Sequence, residues 1–150
     1  MANSDLVIRP VGVDERAGWE PLWRGYLTFY HATQAMDVTD LIWSRIHDPA
    51  EPMFALGAYV DGKLLGITHY LFHRTFWTAG DYCYLQDLFV AEGTRGLGIG
   101  EALIAAVETA AREQGANRVH WLTREENTVA RGLYDKVAER SGFIQYRKIF

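Results

Sequence analysis

The hydrophobic residues of the first fifty positions recur first at extended and then at helical spacing. Residues 6–10 predict a short strand that ends at Pro10. Asp14 is a candidate N-cap. After it, large apolar residues follow a helical period: Trp19, Leu22, Trp23, Tyr26 and Tyr30. Thr39 is a candidate N-cap for a short second helix that ends before Pro49 and carries Ile42, Trp43 and Ile46.

The period then changes from helical to extended. Two apolar runs, 53–60 and 63–72, flank the dipeptide Asp61-Gly62, and this pattern predicts a β-hairpin. Residues 82–90 form a third extended run. The order of these runs favours antiparallel pairing in this half of the sheet.

The remaining third of the chain alternates between helices and strands. A glycine-rich loop, 93–100, leads into a helix that closes at Gly115 and has an apolar face of Leu103, Val107, Ala110 and Ala111. We expect a strand over 118–122, a helix over 128–138 and a closing strand over 143–150. The predicted order β-α-α-β-β-β-α-β-α-β indicates the α/β class, with a mixed sheet and helices on its faces.

Composition narrows the class of protein. The chain has 150 residues, which predicts one domain spanning 1–150, and its 13% aromatic content excludes disorder. No run approaches the roughly 20 apolar residues of a membrane span, and the start does not resemble a signal peptide. The single cysteine, Cys83, excludes an internal disulfide and a Cys-rich zinc site. The net charge of −4, without a basic stripe, argues against nucleic-acid binding. We expect a cytoplasmic protein.

The glycine-rich loop is a candidate phosphate site. Arg95-Gly96-Leu97-Gly98-Ile99-Gly100 lies between a predicted strand and a predicted helix, where backbone N–H groups and the helix dipole favour an anion. A P-loop requires Lys after the last glycine, but Glu101 stands there. A dinucleotide-binding fingerprint has a different glycine spacing and an earlier place in the chain. The third possibility is the pyrophosphate loop of acyl-CoA-dependent N-acyltransferases.

Two motifs make that possibility specific. The family pattern Arg/Gln-x-x-Gly-x-Gly/Ala is matched by Arg95, Gly98 and Gly100, eight residues after Asp87. A second pattern is matched downstream by Asn127, Ala130, Leu133, Tyr134 and Gly142-Phe143. Over residues 85–143 the chain therefore resembles the GNAT superfamily of N-acetyltransferases, and the predicted element order is similar to the family's fold.

Within that superfamily, the chain is most similar to the diamine acetyltransferases and the small histone-acetyltransferase-like enzymes. The residues that carry this narrower resemblance are Phe76-Trp77, Tyr84-Leu85-Gln86-Asp87 and Tyr134-Asp135-Lys136. The chain departs from the pattern at two places. Gln86 replaces a Glu of the diamine enzymes, and residues 137–141 lengthen a turn that is usually short.

The resemblance implies acetyl-CoA as co-substrate, an amine acceptor, no metal and a homodimer. It implies that the backbone of Leu88, Phe89 and Val90 binds the pantetheine arm, as an added strand would. It also implies that this strand is splayed from its neighbour, which leaves the Leu88 N–H free to stabilise the oxyanion. The full set of implied cofactor contacts is Leu88, Phe89, Val90, Arg95, Gly96, Leu97, Gly98, Ile99, Gly100, Glu101, Asn127, Ala130 and Tyr134.

Two ionisable residues are candidates for the proton transfers. Tyr134 is protonated at pH 7 and is the candidate acid for the departing thiolate; its alternative role is that of a core aromatic. Asp87 is the candidate base or ammonium ligand beside Gln86, which cannot act as a base. The alternative for Asp87 is a solvated carboxylate at a strand end.

The sequence thus predicts an acetyl-CoA-dependent N-acetyltransferase that works by direct attack of a small primary amine: a polyamine, an amino acid or a derivative. A protein lysine acetyltransferase and a non-catalytic acyl-CoA-binding module are the alternatives. His69 and His73 lie four apart on a predicted strand and lack the spacing of a helical zinc site. Cys83 is predicted to be a small buried apolar residue. The aromatic series from Trp19 to Tyr30 is predicted to be core, with its end near His31 lining an acceptor pocket.

Overall fold

The structure is a computed structural model that describes residues 5–94 and 96–150. Its elements are β1 (Leu6–Pro10), α1 (Arg16–Phe29), α2 (Met36–Ile46), β2 (Met53–Val60), β3 (Lys63–His73), β4 (Tyr82–Val90), α3 (Ile99–Glu113), β5 (Arg118–His120) and α4 (Thr128–Val137). The strands form one sheet in the order β1-β2-β3-β4-β5. Its pairs are antiparallel except β4–β5, which is parallel. The predicted α/β class with a mixed sheet is confirmed.

The β2–β3 hairpin forms where the sequence places it. Val60 pairs with Lys63 across the two-residue turn, and Asp61 and Gly62 both have positive φ angles, 51° and 78°. Positive φ at both central positions matches the tight turns whose twist suits a hairpin. The Asp-Gly dipeptide therefore sets the register of β2 against β3.

Strand β4 changes its surroundings half-way along its length. His69 pairs with Asp87 and Tyr70 with Leu85, so Gln86 is an extra residue that forms a β-bulge. On the other side, the pairing of β4 with β5 ends at Tyr84. Beyond that residue, one edge of β4 has no neighbouring strand within the described residues.

Apolar side chains pack on both faces of the sheet. On one face, α1 and α2 cover a cluster built on buried Trp19, Trp23, Trp43 and Ile67. On the other face, α3 supplies Leu103 and Val107, and the half-buried Leu133 and Tyr134 of α4 pack against the same cluster. β4 contributes to both faces, because alternate side chains of a strand point in opposite directions.

Both predicted helix caps are wrong. Helix α1 is preceded by Glu15 rather than Asp14, and α2 starts at Met36 after an extended Ala35. Thr39 lies inside α2, fully buried, and its hydroxyl donates to Gln34 Oε1 at 2.8 Å. A tertiary partner therefore explains Thr39 better than a local cap does.

The predicted closing strand over 143–150 is also wrong for this chain. Residues 138–150 are exposed and form no helix or strand. An extended segment becomes a strand only when a neighbour pairs with its backbone, and no described strand does so. In the part of the chain that the structure describes, no helix is long and apolar enough to cross a membrane.

Candidate active site

A hydrogen-bonded row of three side chains crosses the sheet at the β4 bulge. Trp19 Nε1 donates to His69 Nε2 at 3.0 Å, and His69 Nδ1 lies 3.0 Å from Asp87 Oδ2. Indole N–H is only a donor, so Nε2 accepts and Nδ1 carries the proton that is donated to Asp87. The side chains of His69 and Asp87 are 12% and 14% exposed. Asp87 is therefore a mid-strand carboxylate held by a partner, not the solvated strand-end group.

Three tyrosines, Tyr26, Tyr30 and Tyr84, lie within electrostatic reach of the Asp87 carboxylate. Burial raises the pKa of Tyr26 and of Tyr84, and the negative charge of Asp87 raises both further. The pKa of Tyr30 is raised chiefly by burial; the Arg124 cation opposes this rise and Asp87 adds to it. The Tyr30 hydroxyl is thus within electrostatic reach of an anion on one side and a cation on the other.

Tyr134 lies at the far side of this group. Its ring packs edge-on against Trp121, with centroids 5.5 Å apart. Burial raises the pKa of its phenol, and Tyr30 adds to the rise. Tyr134 and Asp87 thus each act electrostatically on Tyr30 or are acted on by it.

Two cavities open at this site. The smaller, of ≈ 150 Å³, is lined by Asp87, Gln86 and His69 on the sheet and by Trp23 and Gln34 on the helical side. The larger, of ≈ 250 Å³, is lined by Phe29, Tyr30, His31, Arg124, Glu126 and Asn127. Glu126 lies 3.9 Å from Arg124. The smaller cavity thus offers the Asp87 carboxylate, and the larger offers the Arg124 guanidinium beside the Glu126 carboxylate.

The free edge of β4 faces away from β3. Directly after β4, Ala91 N donates to Leu65 O of β3, and the Asp87 carbonyl accepts from the Thr68 hydroxyl of β3. The backbone N–H and C=O groups of the odd-numbered residues in this part of the chain therefore point towards β3. N–H groups alternate along a strand. The N–H groups of Leu88 and Val90 therefore point to the edge that β5 leaves open after Tyr84. This agrees with the splayed strand that the resemblance implies.

The glycine loop ends at the first turn of α3. Gly96 and Gly98 have positive φ angles of 87° and 72°, and a Cβ added to either would meet nothing within 4 Å. The first helical bond is donated by Ala102 to Gly98 O, so the three preceding N–H groups have no helical acceptor. They belong to Ile99, Gly100 and Glu101. This open, donor-rich turn fits a phosphate group. Arg95 lies outside the described residues.

The other predicted cofactor residues surround this turn. Leu97 is half-buried and Ile99 is fully buried, so each offers only its backbone. Glu101 bonds to Lys136 on α4 at 3.1 Å, which offsets its negative charge beside a phosphate. Asn127, Ala130 and Tyr134 lie on one face of α4, because they are spaced three and four residues apart. Asn127 precedes α4, and its amide donates to Thr123 rather than capping the helix.

Among known families, one model accounts for most of the chain. The model described as "Acetyltransferase (GNAT) family" matches residues 17–138. The chain is an N-acetyltransferase of the GNAT family. The resemblance found in the two motifs is therefore confirmed at the level of the family.

This GNAT acetyltransferase is similar to proteins that act on different amines. It is 31% identical over 150 residues to the D-amino-acid N-acetyltransferase HPA3 of Saccharomyces cerevisiae, covering 99% of this chain and 93% of that protein. Its fold matches AAC(6')-Iy in complex with a bisubstrate analogue, with a TM-score of 0.82, 21% identity and coverage of 97% and 99%. It also matches a ribosomal-protein-alanine N-acetyltransferase from Brucella melitensis, with a TM-score of 0.79, 22% identity and coverage of 97% and 99%. At these identities, the two structures show the fold alone.

Sequence reasoning missed two residues of the site. His69 was considered only as a metal ligand beside His73, but it bonds to Asp87, whereas His73 is exposed. No group of three or more His, Cys, Asp or Glu suited to a metal occurs among residues 5–94 and 96–150. Arg124 follows β5 in a loop and carries no motif. Cys83 is buried as predicted, and burial raises the pKa of its thiol to about 11.

Proposed function

We propose that this enzyme transfers the acetyl group of acetyl-CoA to the α-amine of an amino acid, by direct attack of the amine. The observation that carries the proposal is the pair of opposite charges on either side of Tyr30: the Arg124 guanidinium carbon lies 5.9 Å from the Tyr30 ring centroid, and the Asp87 carboxylate acts on the pKa of the same tyrosine. An amino acid bears an ammonium and a carboxylate, so it complements both charges. The similarity to a D-amino-acid N-acetyltransferase supports the same class of acceptor.

The proposed place of the acceptor ammonium is the cavity beside Asp87. This carboxylate receives one hydrogen bond from His69, and its partner is in turn held by fully buried Trp19. A carboxylate fixed in this way gives an incoming ammonium a preorganised partner. Asp87 then accepts the proton that the amine loses, directly or through water, before the amine attacks. Gln86, the exposed bulge residue, is the proposed second contact.

The proposed place of the coenzyme is the open edge of β4 and the first turn of α3. The turn formed by residues 96–100 before α3 is called the glycine cradle here. It fits a phosphate, because the N–H groups at the start of α3 have no helical acceptor and no Cβ fills the space at Gly96 or Gly98. The Leu88 N–H is the proposed donor to the acetyl oxygen, and the backbone of Phe89 and Val90 is the proposed contact for the pantetheine arm. Acetyl-CoA supplies the activated thioester carbonyl.

Tyr134 is the proposed general acid. Its raised pKa keeps the phenol protonated throughout the neutral range, so it is able to protonate the leaving thiolate. Its position on α4, on the same face as Asn127 and Ala130, places it on the helix that packs against the glycine turn: a Cβ on Gly100 would lie 3.3 Å from Leu133. A homodimer, a cytoplasmic location and the absence of a metal stay predictions.

The acceptor is tested by measuring coenzyme A release with four classes of amine: D-amino acids, L-amino acids, diamines and a lysine-containing peptide. We expect the highest kcat/KM for a free amino acid. Arg124→Gln should raise the KM for amino acids by about tenfold, the effect of losing about 1.4 kcal/mol, and leave that for amines without a carboxylate unchanged. The matched control is Arg112→Gln, which removes another exposed Arg–Glu pair.

Each result decides between acceptors. A higher kcat/KM for diamines than for amino acids, together with no effect of Arg124→Gln on any KM, would assign a diamine acetyltransferase activity instead. Preference for the peptide assigns a protein lysine acceptor. Binding of acetyl-CoA without release of coenzyme A in the presence of any amine assigns a non-catalytic binding module.

A further inference from the structure

The smaller of the two cavities, the one beside Asp87, is walled mainly by apolar side chains. On the sheet it is lined by Met53 and Leu71, which are paired across β2 and β3 and so lie side by side on one face. On α2 it is lined by Ile42 and Ile46, which share a helix face because they are four residues apart. Among the described residues that line this cavity, Asp87 supplies the one carboxylate. An ammonium bound to Asp87 therefore has an apolar enclosure beside it.

The size of this cavity matches one amino-acid side chain. Its volume is ≈ 150 Å³, and an apolar protein cavity of about 150 Å³ holds a benzene ring. Trp23 forms the wall on the α1 side, where it is 7% exposed and stacks on Tyr26 with the ring planes 11° apart. Such an aromatic wall favours contact with aliphatic and aromatic groups. The enclosure thus suits an apolar group no larger than a six-membered ring.

Gln34, between α1 and α2, is the polar residue on the helical side of this cavity, and its amide is held in one orientation. Trp23 Nε1 donates to Gln34 Oε1 at 2.9 Å, and an indole N–H is only a donor, so the accepting atom is the amide oxygen. Thr39 donates to the same oxygen at 2.8 Å, while Arg24 Nη2 donates to the Thr39 hydroxyl at 3.0 Å. Within the part of the chain that the structure describes, no acceptor takes the amide N–H groups of Gln34. Gln34 therefore offers the cavity hydrogen-bond donors.

We propose that this cavity holds the side chain of the amino-acid acceptor, and that it selects an uncharged, apolar side chain up to the size of a phenyl ring. The inference rests on the proposed function, which places the α-ammonium beside Asp87 and the carboxylate beside Arg124. The side chain is the part of the acceptor that neither charge binds. Its burial against the apolar wall is favourable in proportion to the area that leaves water. Leucine, methionine and phenylalanine fit this description, whereas glycine leaves the cavity without a side chain.

Gln34 is the specificity-determining residue against a second cation. Arginine, lysine and diamines carry a further positive group, and burying that group without an anion is unfavourable. Asp87 is engaged by the reacting amine, and the two ring nitrogens of His69 are taken by Trp19 and Asp87. The amide of Gln34 adds donors, which cannot bond to the N–H groups of an ammonium or a guanidinium. The residue that completes the cavity thus also disfavours cationic side chains.

The first test compares amino-acid acceptors by side chain, with coenzyme A release measured for glycine, alanine, leucine, phenylalanine, arginine and glutamate. We expect kcat/KM for leucine and phenylalanine to exceed that for glycine by at least tenfold, since one methylene in an apolar pocket is worth about 10–200-fold. Arginine and glutamate should fall below leucine by a similar factor. Equal kcat/KM values for all six acceptors contradict the proposal.

A variant that fills the cavity sharpens this test. Ile46→Phe should lower the ratio of kcat/KM for phenylalanine to that for glycine by at least tenfold. Leu41→Phe is the matched control, because Leu41 lies on the same helix and is exposed outside the cavity. Taking the ratio within one variant cancels any general loss of folding or activity. A ratio that Ile46→Phe leaves unchanged contradicts the placement of the side chain.

The second test is a gain of function. Gln34→Glu keeps the shape of the side chain and puts a carboxylate oxygen in place of the amide nitrogen, with Trp23 and Thr39 donating to the other oxygen. The ratio of kcat/KM for arginine to that for leucine should rise at least tenfold, because the second cation then has an anion. Gln114→Glu, which changes the net charge equally at an exposed position directly after α3, should leave the ratio unchanged. An unchanged ratio in Gln34→Glu overturns the role of Gln34.

The proposed function and this inference fail in different ways. If no free amino acid is acetylated, the proposed function fails and the inference fails with it. If amino acids are acetylated but the wild type prefers arginine or treats all side chains alike, the proposed function stands and the inference alone is overturned.

Discussion

His69 Nδ1 lies 3.0 Å from Asp87 Oδ2 across the β3–β4 pair, and Trp19 Nε1 fixes the proton on that nitrogen. Three residues from α1, β3 and β4 thus orient one carboxylate. The β-bulge at Gln86 lies directly beside it. This row is the most specific feature of the site, because a solvated carboxylate would need none of these partners.

Asp87→Asn should raise the KM for cationic amines by about tenfold or more, because an amide offers no charge to an ammonium. The Kd for coenzyme A, measured by calorimetry, should not change. Asp81→Asn is the control, since Asp81 directly precedes β4 and its carboxylate accepts a hydrogen bond from Arg74. Equal effects of the two substitutions would argue against a role for Asp87 in acceptor binding.

Gly98→Asn should weaken coenzyme A binding, because it fills the cradle before α3. Asn tolerates positive φ better than other L residues, so backbone strain is kept small. Gly62→Asn is the matched control, with a φ of 78° and open space around its Cβ in the β2–β3 turn. Calorimetry should show at least a tenfold rise in the Kd, about 1.4 kcal/mol, for Gly98→Asn alone. A Kd within a few-fold of the wild type would remove the cradle from the coenzyme site.

Tyr134→Phe should lower kcat by about 10²–10⁴-fold, the usual contribution of a general acid. Removing one oxygen should cost no more than about 1–2 kcal/mol of stability. Since burial raises the pKa of Tyr134 above its ordinary value of 10.0, the alkaline limb of kcat should lie above pH 10 and disappear in the variant. A core role predicts the opposite pattern, with stability lost and turnover kept.

Glu15→Gln should destabilise the fold at neutral pH by about 1–2 kcal/mol. The Arg9 guanidinium, the Gly12 N–H and the Tyr59 hydroxyl bond to this carboxyl and lower its pKa to about 2. Because the folded-state pKa lies below the unfolded value of 4.5, the stabilisation is complete above pH 4.5. It is lost as the pH falls to about 2. Urea unfolding of both chains at pH 7 and pH 2.5 should show the difference shrinking; a constant difference would assign it to packing.

Local patterns predicted the fold well where local chemistry decides it. The Asp61-Gly62 turn and the two apolar runs set the hairpin, and the predicted 82–90 strand agrees with β4. The predicted N-cap of α2 is wrong, because Thr39 lies inside the helix and its buried hydroxyl bonds to Gln34. The predicted closing strand is wrong for another reason. The sequence pattern of residues 143–150 suits a strand, but a strand also needs a neighbouring strand that pairs with its backbone.

The site was partly predictable for a similar reason. Gly98, Asp87 and Tyr134 lie in motifs that the sequence displays. His69 does not, since its role depends on Trp19, which is fifty residues away, and on a bulge that no local pattern announces. Arg124 is likewise brought to Tyr30 only by the folded chain.

The most direct test of acetyl transfer at the Asp87–Tyr134 site measures thiol release and acetylated product together, in single time courses with acetyl-CoA and an amino acid. We expect one thiol released per amine acetylated, no burst of thiol before the amine is added, and turnover reduced by about 10²–10⁴-fold in Tyr134→Phe. Thiol release that leaves an acetylated enzyme without any amine would contradict direct attack. Wild-type turnover in Tyr134→Phe would contradict the proposed acid.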